Sequence, residues 1–132
     1  MTRVFVDTSA IFALLVPSDA AHPAAKRIFG RLRARESALL TTSYNLVETY
    51  ALLGRRFGRD AVVSFREGFA PLLDVVWVDR ALHDSALDLL LDRPQRVSLV
   101  DAVSFVAIKA YRIDDVFAFD HHFNREGLPV LE

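Results

Sequence analysis

Residues 3–15 read RVFVDTSAIFALL, and the fold turns on how they are read. Arg3 to Val6 has the character of a short buried strand, and an apolar helical run follows from Ser9 to Leu15. Asp7 stands at the junction, followed by Thr8 and Ser9, so a carboxylate is delivered to the mouth of the core. An acid at this place can serve as no more than a helix cap. What Asp7 does is decided by the rest of the chain.

Working outward, strand-like and helix-like segments alternate. Strands are predicted at Val4–Val6, Leu39–Thr41, Asp74–Val78, Val116–Phe119 and Val130–Leu131, the first four short and rich in Val or Phe. Helices are predicted over Ser9–Leu15, Pro23–Arg35, Ser43–Phe57, Asp60–Phe69, Arg80–Leu91 and Leu99–Tyr111. Pro23 near a first helical position and Pro17 and Pro94 beyond helix ends agree with that division. Such alternation implies right-handed βαβ units, a mostly parallel sheet and helices on both of its faces. In sheets of this kind the functional crevice lies beyond the carboxyl ends of the strands, where strand order reverses.

At 132 residues the chain is expected to form one domain over 1–132, with a sizeable core. Its 52% apolar content is high for a soluble domain and leaves a surplus for a subunit or partner interface. A formal charge of −1 gives no bulk attraction to nucleic acid. The absence of cysteine excludes disulfides, thiolate metal sites and a Cys nucleophile, and fits a cytoplasmic location. The uncharged stretches Thr8–Ser18 and Ala38–Val47 fall far short of the ~20 residues of a membrane span.

Four acids occupy telling positions. Asp7 and Asp120 (in FAFDHHF) sit at the carboxyl ends of the first and fourth predicted strands. Glu48 (in YNLVETYALL) and Asp101 (in VSLVDAVSFVAI) interrupt apolar helices. Each has an ordinary structural reading. Asp7 and Asp120 suit helix caps, Ser98-x-x-Asp101 matches a capping box, and Glu48 lies off the stripe Leu46, Tyr50, Leu53, Phe57. Taken together they suit one crevice. Four like charges there would raise one another's pKa unless a cation joined them. A hard divalent ion such as Mg²⁺ or Mn²⁺ fits oxygen donors of this kind and supports phosphodiester cleavage by activating water and stabilising charge on the leaving oxygen.

With VDTSAIFALL, NLVETYALL, SLVDAVSF and FAFDHHF in this order, the sequence resembles the PIN domain family, and more closely its VapC-type toxin ribonucleases, over the whole chain. The resemblance implies a three-layer α/β/α sandwich on a five-stranded parallel sheet, with the first and fourth strands adjacent. It further implies a metal-dependent endoribonuclease, the toxin of a toxin–antitoxin pair. Asp7, Glu48, Asp101 and Asp120 would hold Mg²⁺ or Mn²⁺, Glu48 would orient or deprotonate the attacking water, and Ser9 would hydrogen-bond a carboxylate or metal-bound water. RNA, a cognate antitoxin helix in a hydrophobic groove, and a second copy of the chain are the implied partners. Phe12, Phe29 and Leu32 are candidates for that groove.

His121 and His122 are read as ordering the loop after the fourth acid, with His122 the nearer to substrate, and His22 and His83 as surface residues. Backbone phosphates would be drawn to Lys26, Arg27, Arg31, Arg33 and Arg35, or to Arg55, Arg56 and Arg59. A haloacid-dehalogenase-type phosphatase would need a second Asp where Ser9 stands. A receiver domain would need an acidic pair after the first strand, which DTS lacks, although Asp79 could mimic its phospho-accepting aspartate. An RNA-processing PIN nuclease without antitoxin, and a non-catalytic PIN-fold binding module, complete the alternatives.

Overall fold

In the computed structural model, which describes residues 1–94 and 96–132, the side chains of β1 (Arg3–Val6) alternate between two cores. Val4 and Val6 join Ile11, Ile28, Leu53 and Phe65 on one face of the sheet. Phe5 points the other way, into Phe105, Ile108 and Phe123. A strand buried on both faces needs apolar side chains at consecutive positions, which is what the VFV run supplies.

Three further strands complete the sheet: β2 (Ala38–Thr42), β3 (Leu73–Val76) and β4 (Asp115–Phe117). All pair in parallel, in the order β3-β2-β1-β4. Phe5 sits opposite Leu40 on one side and Val116 on the other, so the first and fourth strands are neighbours as expected. From β1 the chain steps outward through β2 and β3, then returns to add β4 on the opposite side. The reversal falls at the β1–β4 boundary, with its crevice at the carboxyl ends.

The helices are α1 (Thr8–Leu15), α2 (His22–Ala34), α3 (Ser43–Phe57), α4 (Arg59–Gly68), α5 (Arg80–Leu91), α6 (Leu99–Ala110) and α7 (His121–Arg125). Helices α1 to α4 cover one face and α6 with α7 the other, giving three layers. Helix α5 packs on α6 through Ala86, Ala102 and Val103. Among the described residues no helix is long and apolar enough to cross a membrane.

The expected fifth strand is reduced to one isolated parallel bridge between Val116 and Val130, so the sheet has four strands. Val116 donates to the Pro129 carbonyl at 2.9 Å and Leu131 donates to Val116 at 2.8 Å. Pro129 has no N–H to carry the ladder further back. The fourth strand is also shorter than predicted, because the Phe119 amide leaves the ladder to donate to Ser9 Oγ at 2.9 Å. His22 and His83 are half-buried rather than on the surface, bonded through Nδ1 to the Ala13 carbonyl and the Tyr44 hydroxyl respectively.

Asn45, fully buried, ties the layers together. Its Oδ1 accepts from the Thr8 hydroxyl at 2.9 Å and the Thr8 amide at 3.3 Å. Its Nδ2 donates to Ser104 Oγ on α6 at 2.8 Å and to Thr42 Oγ1 at the end of β2 at 3.2 Å. A buried amide bonded on every side fixes these three elements against one another. Replacing Asn45 by Ala strands the Thr8 and Ser104 groups, and urea unfolding of Asn45→Ala should register a loss of about 2–4 kcal/mol. A loss under half of that would mean that water or a shifted side chain takes over the amide's bonds.

Candidate active site

The acid at the end of β1 is held before any ligand arrives. Asp7 is the N-cap of α1, and its Oδ2 accepts from the Ser9 amide at 3.0 Å and the Ser9 hydroxyl at 2.6 Å. The same hydroxyl accepts the Phe119 amide, so Ser9 links the carboxylate to the chain just beyond β4. Asp7 is 4% exposed. Burial pushes its pKa from the usual 3.8 up to about 7; the bonds from Ser9 oppose this, and the charges of Asp101 and Glu48 add to it.

Asp101 lies in the first turn of α6, whose N-cap Ser98 accepts the Asp101 amide at 3.0 Å. It is buried, and burial raises its pKa, opposed by a hydrogen bond from His122. Glu48 is more open to solvent, one helical step beyond Asn45 on α3. Its pKa is raised by desolvation first, with Thr8 opposing and the Asp101 and Asp120 charges adding to the rise. Asp120 caps α7 through its bond from the His122 amide at 3.0 Å. Asp7 and Asp120 are therefore both helix caps, and both stand at the carboxyl ends of the neighbouring strands β1 and β4.

Asp101 and Glu48 thus add to the rise at Asp7, and Asp120 to the rise at Glu48 and Asp101, but the tightest group has a different membership. Ligand atoms of Asp101, Asp120 and His122 lie within 4.8 Å of one another, the one such group among the described residues. His122 Nδ1 is 2.8 Å from Asp101 Oδ2 and 3.2 Å from Asp120 Oδ1. Asp7 and Glu48 stand outside that group. Sequence reasoning assigned His122 to the loop, whereas its ring is turned onto the acids. The one clue was its place two residues after Asp120, where a short helix returns the side chain to its own cap.

The basic residues divide in an unexpected way. Arg55 and Arg56 close the last turn of α3, whose first turn lies at the active edge; Glu48 to Arg56 spans about 12 Å along the axis. Arg56 instead covers the Phe12 ring, 5.3 Å from its centroid. Arg96 and Arg125 are brought beside His122, and with Val97 and Ser98 the three line an open hollow of about 730 Å³. Neither arginine stood out in the sequence, since they are isolated in it. Arg93 beside them pairs with Glu126 at 2.6 Å and ties the segment before α6 to α7.

Of the residues proposed for a hydrophobic groove, Phe12 and Leu32 are buried in the core and Phe29 packs on Phe69. A groove of about 610 Å³ does exist, lined by Leu15, Val16, Leu53, Phe57, Phe65 and Phe69 among others.

Comparison with known proteins places this geometry in context. The family model for the PIN domain matches residues 4–127. The chain is 34% identical over 126 residues, 94% of each chain, to the 23S rRNA-specific endonuclease VapC20 of Mycobacterium tuberculosis. The crystal structure of that Sarcin-Ricin loop cleaving toxin superposes with a TM-score of 0.82, at 33% identity and 95% coverage of both chains. VapBC2 from Rickettsia felis, solved bound to a DNA fragment from its promoter, shares the fold with a TM-score of 0.75 at 11% identity, over 98% of both chains.

The raised pKa of Asp7 carries a stability consequence. Between its unfolded value of 3.8 and its folded value near 7 the native state holds a proton that the unfolded chain has lost. Stability therefore falls as pH rises through that window. In the presence of chelator, the thermal midpoint should drop from pH 4.5 to pH 8, and Asp7→Asn should flatten the drop and melt higher than wild type at pH 8. Parallel pH profiles for the two proteins would contradict the burial argument.

Proposed function

This chain belongs to the PIN domain family, and from that premise we propose that it is a metal-dependent endoribonuclease, the toxin of a toxin–antitoxin pair. The observation that carries the reading is the convergence of Asp7, Glu48, Asp101 and Asp120 at one strand edge, in a chain alike over nearly its full length to a ribosomal-RNA endonuclease. The substrate class that follows is structured RNA of the large ribosomal subunit.

The donor set fits a divalent cation. It offers the carboxylates of Asp7 and Asp101, raised in pKa first by burial and further by neighbouring acids, together with that of Asp120 held at the cap of α7. Asp7, Asp101 and Asp120 would hold Mg²⁺ or Mn²⁺, with Glu48 at the open side. Once bound, the ion supplies positive charge to the phosphate and makes water a better nucleophile near neutral pH.

The remaining steps fall to the chain. Arg96 and Arg125 attract the phosphates flanking the scissile bond. Glu48, exposed and with a raised pKa, accepts the proton of the attacking water. One P–O bond forms to that water's oxygen as the bond to the ribose oxygen breaks, and the departing oxygen takes a proton from solvent, leaving one phosphate end and one hydroxyl end. Ser9 keeps Asp7 from rotating as charge builds up, through its 2.6 Å bond. The work of such an enzyme is cytoplasmic, where ribosomes are.

The apolar groove between α1, α3 and α4 suits an antitoxin helix laid along it. Homodimerisation belongs to the same reading, supported by the chain's apolar surplus.

Incubating purified protein with ribosomes and with total RNA, in Mn²⁺ or Mg²⁺ and with EDTA controls, tests the proposal directly. Discrete fragments that require metal are expected, and Asp7→Asn should cut their rate roughly 100-fold or more, beyond the usual loss for an outer-shell change. Cleavage that survives both EDTA and Asp7→Asn would overturn it.

A further inference from the structure

We propose that the imidazole of His122 is itself a metal ligand, beside Asp101 and Asp120, and that this nitrogen shifts the site's preference from Mg²⁺ toward Mn²⁺. The inference rests on the metal-dependent reading above and deepens it.

Placement comes first. Asp120 caps α7 and His122 follows in the first turn, so its ring folds back over the cap toward α6. The ring nitrogen that meets Asp101 Oδ2 at 2.8 Å and Asp120 Oδ1 at 3.2 Å is the same atom, Nδ1. A histidine that only ordered its loop would be expected to bond the loop's backbone. Here both partners of Nδ1 are site carboxylates.

Spacing comes second. Around an octahedral ion with bonds of ~2.1 Å, neighbouring ligands stand about 3.0 Å apart and opposite ones about 4.2 Å. The two Nδ1 distances match the neighbouring value, and all three donor atoms fall within 4.8 Å. The side chains of His122 and Asp120 are 31% and 37% exposed and that of Asp101 11%, so the group is open on the α7 side, where water or phosphate can complete the shell.

The ring is also held in place. Phe123, the next residue, is fully buried, with its ring centroid 5.3 Å from that of Phe105 and 6.3 Å from that of Phe5. The Arg93–Glu126 pair fastens the far end of the same short helix. Little ordering is left for a ligand to impose, which favours binding.

The metal preference follows from donor type. Carboxylate, carbonyl and water suit Mg²⁺, whereas imidazole favours transition metals, with Mn²⁺ accepting a mixed set. A site of oxygens alone would discriminate less between the two ions.

Electron spin-echo spectroscopy of the Mn²⁺-loaded wild-type protein reads the ligand directly, since a coordinated imidazole imposes ¹⁴N modulation on the echo. The modulation should be present in wild type, kept in His121→Gln and lost in His122→Gln. Calorimetric titrations should show His122→Gln weakening Mn²⁺ by roughly tenfold with little change for Mg²⁺. Mn²⁺ bound without ¹⁴N modulation in wild type would overturn the inference even if no variant folds. Equal weakening of both ions in His122→Gln would overturn it as well, leaving His122 to position the carboxylates. Wild-type protein that binds neither ion would overturn this inference and the metal-dependent reading together.

Discussion

Everything at the active edge hangs on the buried amide of Asn45. It joins the β1–α1 turn, the end of β2 and helix α6 through Thr8, Thr42 and Ser104. The acids then follow at fixed steps. Asp7 is next to Thr8, Glu48 is one helical step after Asn45, and Asp101 is one helical step before Ser104. Residues three apart on a helix share a face, so the faces that meet at Asn45 are also the faces that present Glu48 and Asp101. A neutral, fully bonded side chain thereby sets the spacing of charges that would otherwise drive their elements apart.

Those charges are the cost of the arrangement. Burial and mutual repulsion raise Asp7, Glu48 and Asp101 together, and His122 is the one partner in ion-pairing distance of the group among the described residues. Sites that work on phosphates commonly carry such perturbed groups, held by a scaffold that is stable elsewhere. Here the scaffold is the two-sided apolar sheet, whose Phe5 and Phe117 are almost wholly buried, as are Phe65 of α4 and Phe123 of α7 that pack on its two faces.

Much of this was legible in the residues. Helices Ser43–Phe57 and Arg80–Leu91 have the bounds that their patterns predict, and the alternation of elements gave the parallel sheet. The PIN resemblance correctly implied the neighbouring first and fourth strands. Helix α7 escaped because five residues are too few to show a period. The fifth strand failed because proline removes a donor that a ladder needs. The Asn45 network was invisible because its partners lie 37 and 59 positions away, a matter of packing and not of pattern. The runs of basic residues lie on solvent-exposed helix faces, whereas Arg96 and Arg125, isolated in the sequence, become neighbours only after folding.

The bond from the Phe119 amide to Ser9 joins residues 110 positions apart, and β4 pairs with β1 across a similar interval. During synthesis at 5–20 residues per second, Asp7 leaves the ribosome roughly 5–20 s before Asp120. Strands β1, β2 and β3 can pair in that interval, but the β1–β4 boundary cannot form. A nascent chain therefore carries Asp7, Glu48 and Asp101 without Asp120 or His122. The crevice between β1 and β4 is thus closed by the last strand to be made, and the acids of the earlier elements stay apart from Asp120 until that strand pairs.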